Sequence, residues 1–149
     1  MSAEPAVSTP MDLALEEARQ AGERGEVPVG AVLMRQGAVL TRAGNRMRET
    51  GDPTAHAEML AIRAAGGPER LSGTDMYVTL EPCTMCAAAI SFARIRRLYF
   101  GALDRKGGAV ESGVRFFDQA TCHHAPEIYG GIAERQAAAL LVAFFEARR

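Results

Sequence analysis

Two short segments of the sequence carry the residue types that hold a catalytic metal ion. Residues 54–58 have the sequence TAHAE, and residues 81–86 have the sequence EPCTMC. Together they supply the imidazole of His56 and the thiols of Cys83 and Cys86, a donor set that suits tetrahedral zinc. Structural zinc sites usually have four protein ligands, whereas catalytic sites keep one position for water. Three ligands therefore predict a zinc ion with an open position, although the same donors also accept iron.

The spacing of the two cysteines favours a metal site at a helix start. Pro82 is typical of the first position of a helix, so Cys83 and Cys86 are expected on one face of its first turn. There the helix dipole stabilises negative charge, which lowers thiol pKa values and favours metal binding. A C-x-x-C pair can also be a thioredoxin-like redox pair, and the two cysteines alone leave that alternative open.

His56 and Glu58 are expected at the start of a second helix, opened by Asp52 and Pro53. Two helix starts at the same edge of a sheet can bring the three ligands together. On an ideal helix Glu58 lies about 200° around the axis from His56, so we do not expect it as a fourth ligand. Near an irregular helix start it can reach the metal's water, take a proton and pass it to a leaving group. The alternative is a carboxylate that only complements the helix dipole.

A second group of metal-binding residue types lies near the C-terminus. Cys122, His123 and His124 are consecutive and could complete a Cys₃ or four-ligand structural site. A zinc-stapled domain that binds a partner, and is not an enzyme, would have such a site. We expect Cys122 to be a small, partly buried residue, because the first three ligands already match a catalytic pattern.

Helices and strands alternate along the chain in an order that can position these groups. Thr9 and Pro10 indicate the start of a first helix, with Asp12 placed to complete a capping box. Further helices are predicted after Asp52, from Pro82 and after Gly131, and strands at 29–34, 39–43, 76–80, 97–101 and 127–129.

This order predicts an α/β fold, a three-layer α/β/α sandwich with a mixed central sheet. The opening hairpin should be antiparallel, and the strand–helix–strand units right-handed and parallel. We expect residues 1–8 to form a flexible tail and residues 9–149 to form a single domain.

Composition limits the function classes. Apolar residues make up 48% and charged residues 23% of 149 residues, which is ordinary for a globular protein. No apolar run approaches the ~18–20 residues of a membrane span, and the N-terminus has no signal-peptide pattern. We therefore expect a cytoplasmic protein without membrane contact. The net charge of −1 shows no overall basic balance for nucleic acid, but basic residues, all arginines except Lys106, cluster at 94–97, 105–106 and 148–149. These arginines could contact phosphate or form an ordinary solvated surface.

The two metal-binding segments match a known signature, H-x-E … P-C-x-x-C, of zinc-dependent nucleobase deaminases. The likeness extends over nearly the whole chain from Met11 onward. It is carried by residues 26–32, 44–46, 52–58, 77–83 and 101–104, and by the tail with paired phenylalanines followed by two arginines. In these stretches the sequence resembles the bacterial tRNA-specific adenosine deaminases.

The resemblance implies a fold, a reaction and a cofactor. The fold would be cytidine-deaminase-like, and the reaction would be hydrolytic deamination of adenosine to inosine at the wobble position of a tRNA anticodon. One zinc ion per subunit would be held by His56, Cys83 and Cys86. Glu58 would be the proton shuttle, which moves a proton from water to the adenine N1 side and then to departing ammonia. The protein would act as a homodimer, with the anticodon loop bound near the subunit interface.

The resemblance also implies residues that contact the substrate. Those for the flipped base are Asn45, Pro28 and Val29, together with the backbone around Ala57 and Glu81. Those for the anticodon stem-loop are Asp104, Lys106, His124, Phe145, Arg148 and Arg149.

Two stretches depart from the family pattern. The connection at 66–70 is shorter than in many members, and Leu103 stands where a polar or basic residue is expected. A free nucleobase or nucleoside deaminase, acting on guanine, cytosine or cytidine, is the alternative function. It would use the same ligands, and salt-sensitive RNA binding would distinguish the two.

Overall fold

A five-stranded mixed sheet lies at the centre of the computed structural model, which describes residues 8–149. The strands are β1 Gly30–Arg35, β2 Ala38–Gly44, β3 Asp75–Leu80, β4 Arg97–Ala102 and β5 Glu127–Tyr129, in the order β2-β1-β3-β4-β5. β1 is antiparallel to β2 and β3, whereas β4 is parallel to β3 and β5. The predicted mixed sheet with an antiparallel opening hairpin is confirmed.

Helices cover both faces of the sheet. They are α1 Pro10–Glu23, α2 Met47–Thr50, α3 Ala57–Ala64, α4 Pro68–Leu71, α5 Thr84–Phe92 and α6 Glu134–Glu146, with a 3₁₀ helix at Phe116–Asp118. Side chains alternate across β1, so that Ala31 and Leu33 pack with α3 and α5, whereas Val32 packs with α1. The three-layer α/β/α sandwich predicted from the sequence is therefore observed.

The first helix begins where its sequence predicts. The Thr9 side chain accepts from the Asp12 N–H, and the Asp12 side chain accepts from the Thr9 N–H, which completes the capping box. Gly30 allows α1 to lie close to the sheet, because a Cβ there would stand 2.0 Å from the Ala14 carbonyl oxygen. This close packing fixes the layer behind β1.

The structure corrects the starts of the two site helices. α3 begins at Ala57 and α5 at Thr84, because His56 and Cys83 have extended backbone angles, with ψ of 151° and 177°. Both residues are therefore N-caps, one position outside their helices. The short helices α2 and α4 were not predicted, since four residues give no periodic pattern.

Two predictions concern the ends and the extent of the fold. The predicted flexible tail falls on residues 1–7, which lie outside the described residues, and on exposed Ser8. The single domain at 9–149 stays a prediction. Within residues 8–149, no helix is long and apolar enough to cross a membrane.

Candidate active site and metal centre

Three ligand atoms meet where α3 and α5 begin. His56 and Cys83 are the N-caps of these helices, and Cys86 lies in the first turn of α5. The Nδ1 atom of His56 is 3.7 Å from the Cys83 Sγ and 3.5 Å from the Cys86 Sγ. The N-cap positions place each side chain beside its helix end, so that three ligands from two segments converge.

This geometry fits a zinc ion. A tetrahedral ion with Zn–S of about 2.3 Å and Zn–N of about 2.1 Å separates nitrogen from sulfur by about 3.6 Å. The two observed separations, 3.5 and 3.7 Å, lie on either side of that value. Among residues 8–149, the group that could hold a metal contains His56, Cys83 and Cys86 and no fourth residue. Three protein ligands leave one position for water, as in catalytic zinc sites.

The two thiols differ in their electrostatics. Hydrogen bonds with Cys86 and His56 lower the pKa of Cys83 to about 4, although burial opposes the shift. The same pairing with Cys83, together with burial, raises the pKa of Cys86. Cys83 also raises the pKa of His56. The thiol of Cys83 therefore ionises more readily than that of Cys86, which favours capture of a cation.

Glu58 is a buried carboxyl group beside the ligands. It is the second residue of α3 and is only 4% exposed. Burial raises its pKa, and hydrogen bonding to its own backbone and the charge of His56 offset this only in part. The expectation that Glu58 points away from His56 assumed that both lie on one helix. His56 precedes α3, and both residues line one cavity.

The cavity beside the metal ligands has a volume of about 160 Å³. It is lined by Val27, Val29, Asn45, Met47, His56, Glu58, Leu80, Glu81, Cys83 and Asp104. Four of the eight lining residues that are not metal ligands are apolar: Val27, Val29, Met47 and Leu80. A flat aromatic base with a few polar edges suits such a cavity better than a highly charged ligand does.

Comparisons of the sequence with known proteins identify the family of the chain. The family described as cytidine and deoxycytidylate deaminase zinc-binding region matches residues 6–102. The tRNA-specific adenosine deaminase of Agrobacterium fabrum is 67% identical over 142 residues, covering 93% of each chain. That of Rickettsia typhi is 42% identical over 144 residues, covering 93% of this chain and 97% of its own. The chain belongs to the tRNA-specific adenosine deaminase family.

Two solved deaminase structures have the same fold as this chain. A structure from work on A-to-I editing by tRNA:A34 deaminases at the wobble position of transfer RNA matches with a TM-score of 0.85. The two chains are 66% identical, and the match covers 89% of this chain and 98% of that one. The guanine deaminase of Nitrosomonas europaea matches with a TM-score of 0.72 at 21% identity, over 95% of this chain and 87% of its own. That second likeness shows the fold alone.

Asn45 is the predicted base-contacting residue of the deaminase family, and it lines the cavity. Its Oδ1 accepts the Ala57 N–H at 2.8 Å, and its Nδ2 donates to the Val27 carbonyl oxygen at 3.1 Å. An amide nitrogen carries two hydrogens, so one remains for a ligand. The Ala57 N–H, in contrast, is already bonded within the protein.

Pro28 and Val29 were both predicted as pocket wall, but the structure separates them. Val29 lines the cavity, whereas Pro28 lies in a groove between α1 and α6, against Gly22 and Phe144. The Val29 N–H donates to the Val27 carbonyl oxygen at 2.8 Å, which closes a three-residue turn. Such a turn sends successive side chains in different directions.

The predicted RNA-contacting residues are distributed over several surfaces. Asp104 lines the cavity, and Lys106 is exposed two residues later. His124 is partly buried, and its Nε2 lies 2.8 Å from the Ile95 carbonyl oxygen. On the last helix Phe145 is 51% exposed, and the exposed Arg148 and Arg149 follow it. The RNA contacts of these residues stay predictions.

Cys122 is partly buried, as expected. Its thiol donates to the His124 carbonyl oxygen at 3.2 Å and lies 3.6 Å from the Ser91 Oγ. The group that could hold a metal includes neither Cys122 nor His123 nor His124. Through these contacts Cys122 packs against the end of α5.

Two segments of the chain contribute to the cavity lining, and a buried glutamate binds the backbone of each. The 45–50 wall, residues 45–50, contributes Asn45 and Met47, and Glu26 accepts two backbone N–H groups from it. The 104–112 wall, residues 104–112, contributes Asp104, and Glu81 accepts backbone N–H groups from it. Burial alone would raise the pKa of Glu81, but these hydrogen bonds leave it lowered.

Sequence reasoning missed several functional residues of the site. Val27, Met47 and Leu80 line the cavity but carry no chemical signature. Glu26 was read only as part of the family stretch, and Glu81 only for its backbone. A charged residue at the end of an apolar strand is a signal that could have found Glu81, because buried carboxylates need hydrogen-bond donors. Glu26 follows the charged residues Glu23 and Arg24 and gives no such signal.

Proposed function

We propose that this protein hydrolytically deaminates adenosine to inosine at the wobble position of a tRNA anticodon. The observation that carries the proposal is one cavity that joins a three-ligand metal site to the buried carboxyl group of Glu58. The substrate class follows from membership of the tRNA-specific adenosine deaminase family, including a relative that is 67% identical.

The chemistry needs a nucleophilic water and a group that moves protons. His56, Cys83 and Cys86 would hold zinc. The ion would lower the pKa of its bound water, so that the water could lose a proton and attack a ring carbon at neutral pH. Glu58 would accept a proton from the attacking water and deliver it to N1 of adenine. Glu58 then transfers the second proton to the amino group, so that water adds, ammonia leaves and inosine forms. Its raised pKa suits a group that must hold a proton between two steps.

The cavity can orient the base by shape and by one amide. Val29 and Leu80 offer apolar walls for the faces of an adenine ring, and the free Nδ2 hydrogen of Asn45 offers a donor for a ring nitrogen. An unpaired anticodon base can enter such a cavity at little cost, because its stacking and pairing are already weak.

The RNA backbone would bind beside the cavity, at Lys106, and on a second surface at the end of α6. Lys106 is exposed beside Asp104, and the exposed Arg148 and Arg149 end the chain. Arginine binds phosphate in a bidentate manner, and an exposed aromatic ring such as Phe145 can stack on an unpaired base. Since tRNA is the substrate, we place the protein in the cytoplasm.

We also propose a homodimer formed through α5. The outward side of this helix carries Met85, Ala88, Ala89 and Phe92 and no charged residue. Phe92 is 80% exposed, which is unusual for a large apolar side chain. A Phe92→Glu variant should sediment as a monomer in analytical ultracentrifugation; an unchanged dimer mass would assign the interface to another face.

The decisive experiment uses zinc-loaded protein and an anticodon stem-loop with adenosine at the wobble position. Sequencing of the product should show inosine at that position, and a stem-loop with adenosine elsewhere serves as the control. Free guanine, cytosine and cytidine are incubated in parallel. Deamination of a free base without conversion of the stem-loop would replace this function with the nucleobase alternative.

A further inference from the structure

Glu81 is a buried carboxylate at the end of β3, two residues before the ligand Cys83. Glu81 is 2% exposed, yet among residues 8–149 no positive side chain forms a salt bridge with it. A buried carboxylate without a cation must satisfy its oxygens with other donors. Those donors come from the 104–112 wall.

Five hydrogen bonds join Glu81 to the 104–112 wall. One oxygen, Oε2, accepts the N–H groups of Val110, Glu111 and Ser112 at 3.1, 2.8 and 2.9 Å. The other oxygen, Oε1, accepts the Asp104 N–H at 3.0 Å and the Ser112 Oγ–H at 2.9 Å. A carboxylate offers about four lone-pair positions, so both oxygens are saturated by the protein. Glu81 therefore has no acceptor left for a substrate.

The same wall is fastened to the metal ligand. Cys83 forms an isolated antiparallel bridge with Gly108, and the Ala109 N–H donates to the Pro82 carbonyl oxygen at 2.9 Å. A Cβ at Gly108 would stand 2.4 Å from the Glu81 Oε1, so the backbone packs directly on the carboxylate. The backbone of Cys83, the wall and the Glu81 carboxylate thus form one connected unit.

We propose that Glu81 is a positioning residue for the deamination. Its carboxylate fixes residues 104–112 against Cys83, and so sets both the cavity wall at Asp104 and the orientation of one metal ligand. The kinetic part of this inference rests on the proposed function, whereas the metal part does not.

The sharpest variant is Glu81→Gln. The amide oxygen can keep the three N–H donors of residues 110–112, which leaves the amide NH₂ facing the N–H of Asp104. Two donors then oppose each other, and the wall loosens at Asp104 while Cys83 keeps its contacts. We expect KM for the stem-loop to rise roughly three- to tenfold, with zinc content unchanged and kcat nearly so, because one hydrogen bond is lost.

Glu81→Ala removes all five hydrogen bonds and should reach the metal. We expect zinc affinity to fall by about 10- to 100-fold, the usual range for groups that support metal ligands. In the Co(II)-substituted protein, the thiolate-to-metal absorption bands should shift, because they report the geometry of Cys83. Ser112→Ala removes one side-chain donor and should change KM in the same direction as Glu81→Gln, by less.

Glu26→Gln is the matched control. Glu26 is equally buried and accepts the Arg48 and Glu49 N–H groups at 3.0 and 2.9 Å, at residues of the 45–50 wall that do not pair with a metal ligand. It should lower the melting temperature but leave the Co(II) spectrum and zinc affinity at wild-type values.

A purely structural role would give a different result. The inference is overturned if the Glu81 variants lower the melting temperature as Glu26→Gln does while the Co(II) spectrum, zinc affinity and KM all stay at wild-type values. If Glu81→Ala does not fold, the inference is tested with Glu81→Gln and Ser112→Ala. Both variants should raise KM more than they lower kcat, and both should show faster amide hydrogen exchange at residues 104–112. The spectrum and the amide exchange need no RNA, so inactivity of the wild type on the stem-loop would count against the proposed function alone.

Discussion

The two walls of the cavity are built alike but connected differently. In both, a buried glutamate accepts hydrogen bonds from the wall. Glu26 accepts two backbone N–H groups from the 45–50 wall. Glu81 accepts four backbone N–H groups and the Ser112 hydroxyl from the 104–112 wall. The 45–50 wall is joined to the start of α3 through the bond between Asn45 and the Ala57 N–H. The 104–112 wall is joined to Cys83 through Gly108.

This difference assigns the walls to different parts of the chemistry. The 45–50 wall is hydrogen-bonded to Ala55 and Ala57, the two neighbours of His56, next to Glu58, whereas the 104–112 wall pairs with the ligand Cys83 itself. Changes in the 45–50 wall should therefore act on base binding and proton transfer, whereas changes in the 104–112 wall should act on the metal as well. The following predictions run from the largest expected effect to the smallest.

Glu58→Gln sets the upper limit, because it removes the proton carrier and leaves both walls in place. We expect kcat to fall by about 10²- to 10⁴-fold, the usual contribution of a general acid–base group. Zinc content, measured by atomic emission on the same sample, should equal that of the wild type. Retained turnover would remove Glu58 from the mechanism.

Asn45→Asp tests the wall tied to the proton carrier. The new carboxylate can still accept the Ala57 N–H but places a second acceptor against the Val27 carbonyl oxygen. Two buried acceptors in contact should lower the free energy of unfolding by about 1–3 kcal/mol, measured by urea denaturation.

The Asn45→Asp substitution should leave zinc binding unchanged. Zinc affinity is expected at the wild-type value, and kcat/KM on the stem-loop should fall. A loss of zinc affinity in Asn45→Asp would break the division between the two walls.

Gly108→Ala tests the wall tied to the metal. A methyl group there would stand 2.4 Å from the Glu81 Oε1 and 2.5 Å from the Asp104 carbonyl oxygen. We expect a loss of about 1–3 kcal/mol in unfolding free energy from overpacking, together with a shifted Co(II) spectrum. Gly107→Ala is the control, because its methyl group meets only the Asp104 carboxylate, at 3.1 Å; equal effects of the two variants would contradict this account.

Metal removal should cause the smallest of these effects, a difference in amide hydrogen exchange between the two walls. After chelation, amide hydrogen exchange at residues 108–112 should accelerate more than exchange at residues 47–50, because Gly108 pairs with Cys83. Mass spectrometry of peptic fragments measures both in one experiment. Equal acceleration would mean that the metal stabilises the whole cavity and not one wall.

Much of the fold could be predicted because its signals are local. The capping box at Thr9 fixes the start of α1, and β5 has the bounds that were predicted. The three metal ligands were also found from spacing alone. The prediction placed His56 and Cys83 inside their helices, because Pro53 and Pro82 resemble first-turn residues, whereas the backbone at both ligands stays extended.

The rest depends on contacts between distant segments. α2 is four residues long, and its N–H groups bind Glu26, which is 22 and 23 residues away from its two donors. Glu81 binds donors 23 to 31 residues away. No sequence window of helical or strand length contains both partners, so periodicity gives no sign of either pair.

The sequence by itself determined the residues that can hold the metal, the carboxyl group of Glu58 beside them and the order of helices and strands, because residue type and local spacing carry that information. The tertiary structure decided which side chains face the cavity. It placed Val29 in the cavity and Pro28 under α6, and it turned Glu81 from a backbone contact into the residue that holds a wall to the metal centre. The physical reason is that a buried carboxylate must find donors wherever the packed chain brings them.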